Sequence, residues 1–159
     1  MTGLATRSMP VFVLENRTVE TPVGFYLPGF GRNDANPDLG DSAIVETIGL
    51  GGMAMAASPA AARFVRAGGL DAALGVTADM REITLGEHPH LRIATDGDRG
   101  VPVGIDVRRM VETGITPVIT TGIAGHRAGT SQVGAGAVRA PLGCFTVALE
   151  AFARSGGVA

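Results

Sequence analysis

The sequence predicts an α/β protein, with α+β as the alternative: a mixed sheet flanked by helices and carrying long glycine-rich loops. Three observations predict it. Short β-branched or apolar runs intermix along the chain with Ala-, Leu- and Met-rich runs at helical spacing. Hydrophobic residues make up 45% of the 159 residues and charged residues 18%, so the chain can fill a core and wholesale disorder is excluded. There are 24 glycines, well above the typical share of ~7%, while aromatics are only 4% and tryptophan is absent. The core must therefore be built with few large side chains.

Taken in order, residues 10–14 (Pro-Val-Phe-Val-Leu) form a short β-prone run. Residues 22–31 hold three of the seven aromatics, Phe25, Tyr26 and Phe30, between glycines and prolines, which predicts an extended loop pinned by those rings. Residues 33–41 are a turn-rich acidic stretch, after which Asp41 or Ser42 could cap a short helix through Ile48. The glycine run 49–52 breaks the chain. Residues 53–67 read as a helix that Pro59 interrupts or restarts, and residues 70–82 as an amphipathic helix capped by Asp71. Residues 91–95 and 101–107 read as strands joined by a hairpin-type turn at 96–100. Arg108–Thr113 makes a short helix stopped by Gly114. Residues 115–121 form a β-branched strand feeding a long glycine-rich loop over 122–136, and 141–154 close the chain as a helix.

Composition narrows the function. All 13 basic residues are arginine, the formal net charge is −2 and the isoelectric point is about 5.9, so there is no basic excess for general nucleic-acid binding. A single cysteine, Cys144, excludes an internal disulfide framework and a Cys-based zinc site, and reads as a small buried hydrophobe. The first residues lack a charged segment followed by an apolar core, and residues 47–62 are too short, with Pro59 inside them, to span a bilayer. A soluble cytoplasmic protein is the expectation.

Several clusters could carry chemistry. Gly49, Gly51 and Gly52 precede a helix, where a glycine turn presents backbone N–H groups to an anion; the same residues serve equally for close packing. The carboxylates Asp34, Asp38 and Asp41, with Glu46 beyond them, do not match an EF-hand spacing and read as solvated turn residues and caps. Arg99 and the pair Arg108-Arg109 flank a strand ending in Asp106, and a guanidinium clamps carboxylate or phosphate in two-pronged fashion. A salt bridge to Asp106 or Glu112 is the alternative. Residues 120–136 gather Thr121, His126, Arg127, Ser131 and Gln132 beyond a strand end, where sites usually form. His88 and His90 read as exposed loop residues.

Six runs taken together resemble a known family: Phe25–Gly31; Asp34–Ala43; Glu46–Ala56; Gly104–Arg108; Val111–Ile119; and Gln132–Pro141. The chain resembles the C-terminal portion of the YlbE/AllG-like family, long known only as a domain of unknown function, from about Val23 to Phe152. The resemblance implies a single α/β domain over residues 22–155, preceded by a poorly matching segment 1–21. Family members run to several hundred residues, with a large, mostly helical N-terminal part. It implies a subunit of an oxamate carbamoyltransferase, exchanging a carbamoyl group between carbamoyl phosphate and oxamate or oxalurate in allantoin-type purine nitrogen catabolism. An FdrA-like protein would be its partner, with self-association covering exposed apolar surface. A non-catalytic scaffold subunit docking that partner, or an inactive fragment, is the alternative. Such substrates need arginine clamps, glycine-turn amides and an oxyanion stabiliser rather than a protein nucleophile. The candidate residues are then Gly49, Gly51, Gly52, Arg99, Arg108, Thr121 and Ser131 for binding, and His126 and Gln132 for polarising the carbamoyl oxygen and contacting the amide. No metal and no cofactor are expected.

Overall fold

The computed structural model describes residues 20–39, 42, 46, 48–64 and 68–154. The strand expected at 10–14, most of the helix expected after Asp41, and the end of the 53–67 helix lie outside the described residues. Within them, helices and strands intermix as the α/β or α+β reading requires. The strands β1 (Val23–Tyr26), β5 (Gln132–Arg139) and β4 (Val118–Ala124) form one sheet in the order β1-β5-β4. The strands β2 (Thr84–Ile93) and β3 (Arg99–Ile105) form a second. Both sheets are antiparallel. The helices are α1 (Pro59–Phe64), α2 (Leu70–Glu82), α3 (Val107–Thr113) and α4 (Leu142–Arg154).

Local chemistry explains the boundaries. Pro59 opens α1, where its fixed φ suits the first helical turn; the residues before it form a short 3-10 turn, Met55–Ala57, so the proline restarts the helix. Helix α2 is capped by Gly69, and Asp71 instead stands in the first turn, where its charge meets the positive end of the helix dipole. Asp106 caps α3 by accepting from the Arg108 N–H at 3.0 Å. Gly114, at φ 72°, ends that helix in the left-handed conformation and returns its N–H to Met110. Between β2 and β3 the chain turns through Gly97 and Asp98, both at positive φ.

Three expectations need correction. The stretch 22–31 contains strand β1 rather than only a loop, because Val23–Tyr26 pairs with Gly134–Ala137 of β5. Strand β2 starts at Thr84, so His88 and His90 stand in a strand; its ladder is irregular between Glu87 and Arg92, where His88 Nδ1 accepts from the His90 and Leu91 N–H groups. The stretch 122–136 is the facing halves of β4 and β5, joined by residues 125–131. Its glycines permit close approach of backbones: a Cβ on Gly134 or Gly24 would overlap a carbonyl oxygen of the opposite strand, and one on Gly136 would lie 2.6 Å from the Val23 oxygen.

Met53, Met80, Ile83, Ile93, Met110 and Ile119 are fully buried, and among the described residues Phe145 of α4 is the one aromatic ring in this core. Flexible methionines fill the irregular space that aromatics would otherwise occupy. Buried Thr77 of α2 accepts from the Ala56 N–H and donates to the Met53 carbonyl, tying the Met-rich turn to the helix.

Gly136→Ala should weaken the β1–β5 pairing and cost about 2–3 kcal/mol in urea unfolding. Gly75→Ala, in open space on α2, should stabilise by about 0.5–1 kcal/mol. Equal effects of the two would contradict the close-approach account.

Candidate functional site

Among the described residues two carboxylates are buried, Asp106 at the α3 cap and, more deeply, Glu46. Glu46 is 1% exposed. Its Oε1 accepts from the Thr120 N–H of β4 at 3.1 Å, and its Oε2 from the Met53 N–H at 3.4 Å. Burial pushes its pKa from 4.5 up to about 7, against backbone N–H groups of Gly52, Thr120 and Met53 that pull it down. The glycine turn wraps this carboxylate. Gly51, at φ +65°, leaves no room for a Cβ beside Glu46 Oε1. A Cβ on Gly52 would overlap the Val118 carbonyl of β4, and one on Gly49 would sit 2.7 Å from a Val103 methyl of β3. The turn is thus wedged between the two sheets.

On β4, one residue past Thr120, Thr121 faces a cavity of about 290 Å³. Asn36, Asp38, Ser42, Thr121 and Gln132 supply its polar side chains, and Pro22, Leu39 and Ile123 its apolar wall. Ser42 donates to Thr121 Oγ1 at 3.0 Å, and Gln132 Nε2 donates to the Gly134 carbonyl at 2.8 Å. The wall is held by pairing between residues 34–36 and the β4–β5 connection. The Asn36 N–H donates to the Ala124 carbonyl, Ala35 bridges Gly125, and the His126 N–H donates to the Asp34 carbonyl at 2.9 Å. Hydroxyl and carboxamide groups both donate and accept, so this wall suits a small polar ligand.

Of the residues singled out from sequence, the fold brings Thr121 and Gln132 into one cavity, with Ser131 adjacent and His126 exposed on the connection above it. Gly49, Gly51 and Gly52 lie elsewhere, and the anion that the Gly52 amide faces is the chain's own Glu46. Arg99 donates to Glu87 at 2.6 Å and Arg108 to Asp106 at 2.8 Å. These contacts hold both carboxyls below their ordinary range, the Arg99 hydrogen bond leading at Glu87 and the Arg108 hydrogen bond at Asp106. Neither arginine lines the cavity.

Sequence reasoning passed over Asn36 and Ser42, because turn residues give no sign of which wall they will build. It placed Glu46 among solvated acids, although the glycine run three residues on is what encloses it. Among the described residues no group of three or more His, Cys, Asp or Glu could hold a metal ion, and no helix is long and apolar enough to cross a membrane.

No family model matches the chain. The fold is nevertheless shared with a solved structure. A crystal structure of a conserved protein of unknown function from Enterococcus faecalis V583 superposes with a TM-score of 0.79 at 40% identity, covering 86% of this chain and 32% of that one. The chain belongs to the AllG-like family. It is 54% identical over 140 residues, 88% of its length, to the oxamate carbamoyltransferase subunit AllG of Escherichia coli (strain K12), and 43% identical over 136 residues to the uncharacterized protein YahG of the same organism. It spans about a third of the length of these relatives, 33% and 29%.

Because Glu46 titrates higher folded than unfolded, the native chain holds a proton there that the unfolded chain releases between pH 4.5 and about 7. The stability from this group is full below that window and is lost as pH rises through it, by up to about 3 kcal/mol. Glu46→Gln removes the slope. Urea unfolding across the window should show the variant gaining on the parent as pH rises; a constant difference would refute the raised titration.

Proposed function

We propose that the chain is part of a carbamoyl-transfer enzyme that moves a carbamoyl group between carbamoyl phosphate and oxamate, giving oxalurate and phosphate. The observation that carries this reading is the 54% identity over 88% of the chain to the oxamate carbamoyltransferase subunit AllG. The cavity adds support, since Gln132 and Thr121, with Asn36 and Ser42, offer the paired donors and acceptors that a primary amide needs.

In this reading the amide nitrogen of oxamate attacks the carbamoyl carbon, the bond from that carbon to the phosphate oxygen breaks, and the nitrogen's proton leaves with the departing phosphate or to solvent. Gln132 and Thr121 orient the amide, with Ser131 beside them. His126 polarises the carbamoyl oxygen from the connection above. Gly52, Arg99 and Arg108 would serve the anionic groups only by exchanging the carboxylates they already hold, and Gly49 and Gly51 lie in the same turn around Glu46, so the geometry favours these residues less. Residues 22–155 act as one domain joined to an FdrA-like partner in the cytoplasm, within a homo-oligomer.

A second reading, a non-catalytic subunit that docks the partner, is favoured by one observation: Val23, Leu39, Ile48 and Leu85 are 67%, 70%, 58% and 61% exposed.

The chain reconstituted with an FdrA-like partner should release phosphate from carbamoyl phosphate only when oxamate is present. Gln132→Ala and Thr121→Val should each lower kcat/KM by roughly tenfold or more. Complex formation with no transfer in any combination would favour the docking reading instead.

A further inference from the structure

We infer that Arg32 and Arg127, with His126 between them and the cavity, form the anion-binding end of a site whose uncharged end is the cavity lined by Asn36, Thr121 and Gln132. The ligand is a small molecule carrying an oxyanion, carboxylate or phosphate, at one end and an uncharged carboxamide at the other. This rests on the carbamoyl-transfer reading for the identity of the amide and not for the anion site itself.

The first argument is the disposition of cations. Among the described residues, Arg81, Arg92, Arg99, Arg108, Arg139 and Arg154 are held in ion pairs with carboxylates, and Arg109 donates to the Thr84 carbonyl. Arg32, Arg63 and Arg127 make no ion pair there, and all three are exposed. An unpaired guanidinium binds an oxyanion without first giving up a carboxylate.

The second argument is register. Asn36 pairs with Ala124, Ala35 with Gly125 and Asp34 with His126, so the two segments leave the cavity side by side. Arg127 follows three residues beyond Ala124, and Arg32 stands four residues before Asn36. Two of the three unpaired arginines are therefore carried on the paired segments that leave the same end of the cavity, and the third, Arg63, lies on α1. The glycines on either side of these arginines, Gly31 and Gly129, meet no heavy atom where a Cβ would be, so the flanks are open to a ligand.

The third argument is charge. Among the described residues the cavity wall contains no cationic side chain, and its charged residue is Asp38. Asp34, the other nearby carboxylate, accepts from the Gly31 N–H at 3.0 Å. A phosphate or carboxylate is unfavourable inside this wall, so the anionic end belongs outside it, where the arginines are.

The test is titration of the isotopically labelled chain, followed by amide NMR, with oxamate, carbamoyl phosphate, inorganic phosphate and acetamide as separate probes. Oxamate or carbamoyl phosphate should shift amides at 31–36 and 124–132, with binding that weakens as salt rises. Inorganic phosphate alone should shift the 31–34 and 126–128 amides, and acetamide only those lining the cavity. Arg32→Gln and Arg127→Gln should each weaken the anionic probes by roughly tenfold or more, while leaving acetamide unaffected. Arg63→Gln, which removes the same charge elsewhere, should change nothing, and an unchanged thermal midpoint would show that each variant folds. Anionic probes that bind the two variants as they bind the parent, or shift amides around Arg99 or Arg108 instead, would overturn the inference. Loss of anion binding in the variants, alongside a reconstituted complex that transfers no carbamoyl group, would uphold the anion site and refute only the reaction.

Discussion

The Glu46 carboxylate and the glycine turn around it hold the two sheets in their relative positions. Glu46 takes the Thr120 N–H from the edge of β4 that does not pair with β5, and on its other oxygen takes the Met53 N–H at the end of the turn. The turn itself packs Gly49 against β3 and Gly52 against β4. One buried group thereby closes an open strand edge, which would otherwise expose unpaired amides, and anchors the Met-rich segment that fills the core. A carboxylate costs free energy to bury, and it is tolerated here because three backbone donors converge on it. The same anchor sets the height of β4, and Thr121 enters the cavity wall one residue after the anchored Thr120.

Arginine is the chain's only basic residue type apart from its histidines, and the fold spends most of the described guanidiniums on itself. Arg81 bridges Glu87 and Asp96 and also donates to the Gly100 carbonyl, stapling α2 to the β2–β3 hairpin. Arg99 shares Glu87. Arg108 binds the same Asp106 that caps its helix. A planar, many-donor group makes such shared contacts where an ammonium would make one. The arginines outside these networks are consequently informative, and two of them stand where the 31–36 segment meets the β4–β5 connection.

Much of the fold was legible in the sequence because the signals are local. The Asp106 cap and Gly114 stop bracket α3, the apolar spacing of 70–82 sets α2, and Pro59 marks a helix start. Of the cavity taken as the candidate site, the sequence points to two lining residues, Thr121 and Gln132, from hydroxyl and amide groups near a strand end. The glycine-rich stretch 122–136 misled, since glycine alternates there with Val and Ala in a strand whose close neighbour leaves no room for side chains. Glycine in such a segment reports the distance to another backbone, which no local pattern reveals. Arg99 and Arg108 carried the right functional group for an anion, but their partners Glu87 and Asp106 were decided by hairpin register and a helix cap.

By itself the sequence determined the class of fold, most helix boundaries, the shortage of aromatic core and the family to which the chain belongs. These follow from periodicity, capping chemistry and ordered runs of residues, all of which act over a few positions. Only the tertiary structure decided that Glu46 is buried, that the glycine turn surrounds an internal carboxylate, and that Asn36, Ser42, Thr121 and Gln132 share one wall. Those outcomes depend on bringing together residues as much as 96 positions apart, such as Asn36 and Gln132 in one cavity wall, and on which backbones approach closely enough to exclude a side chain. Glycine abundance and arginine exclusivity were visible from the start; their meaning came from what each glycine lies against and which arginines the fold leaves unpaired.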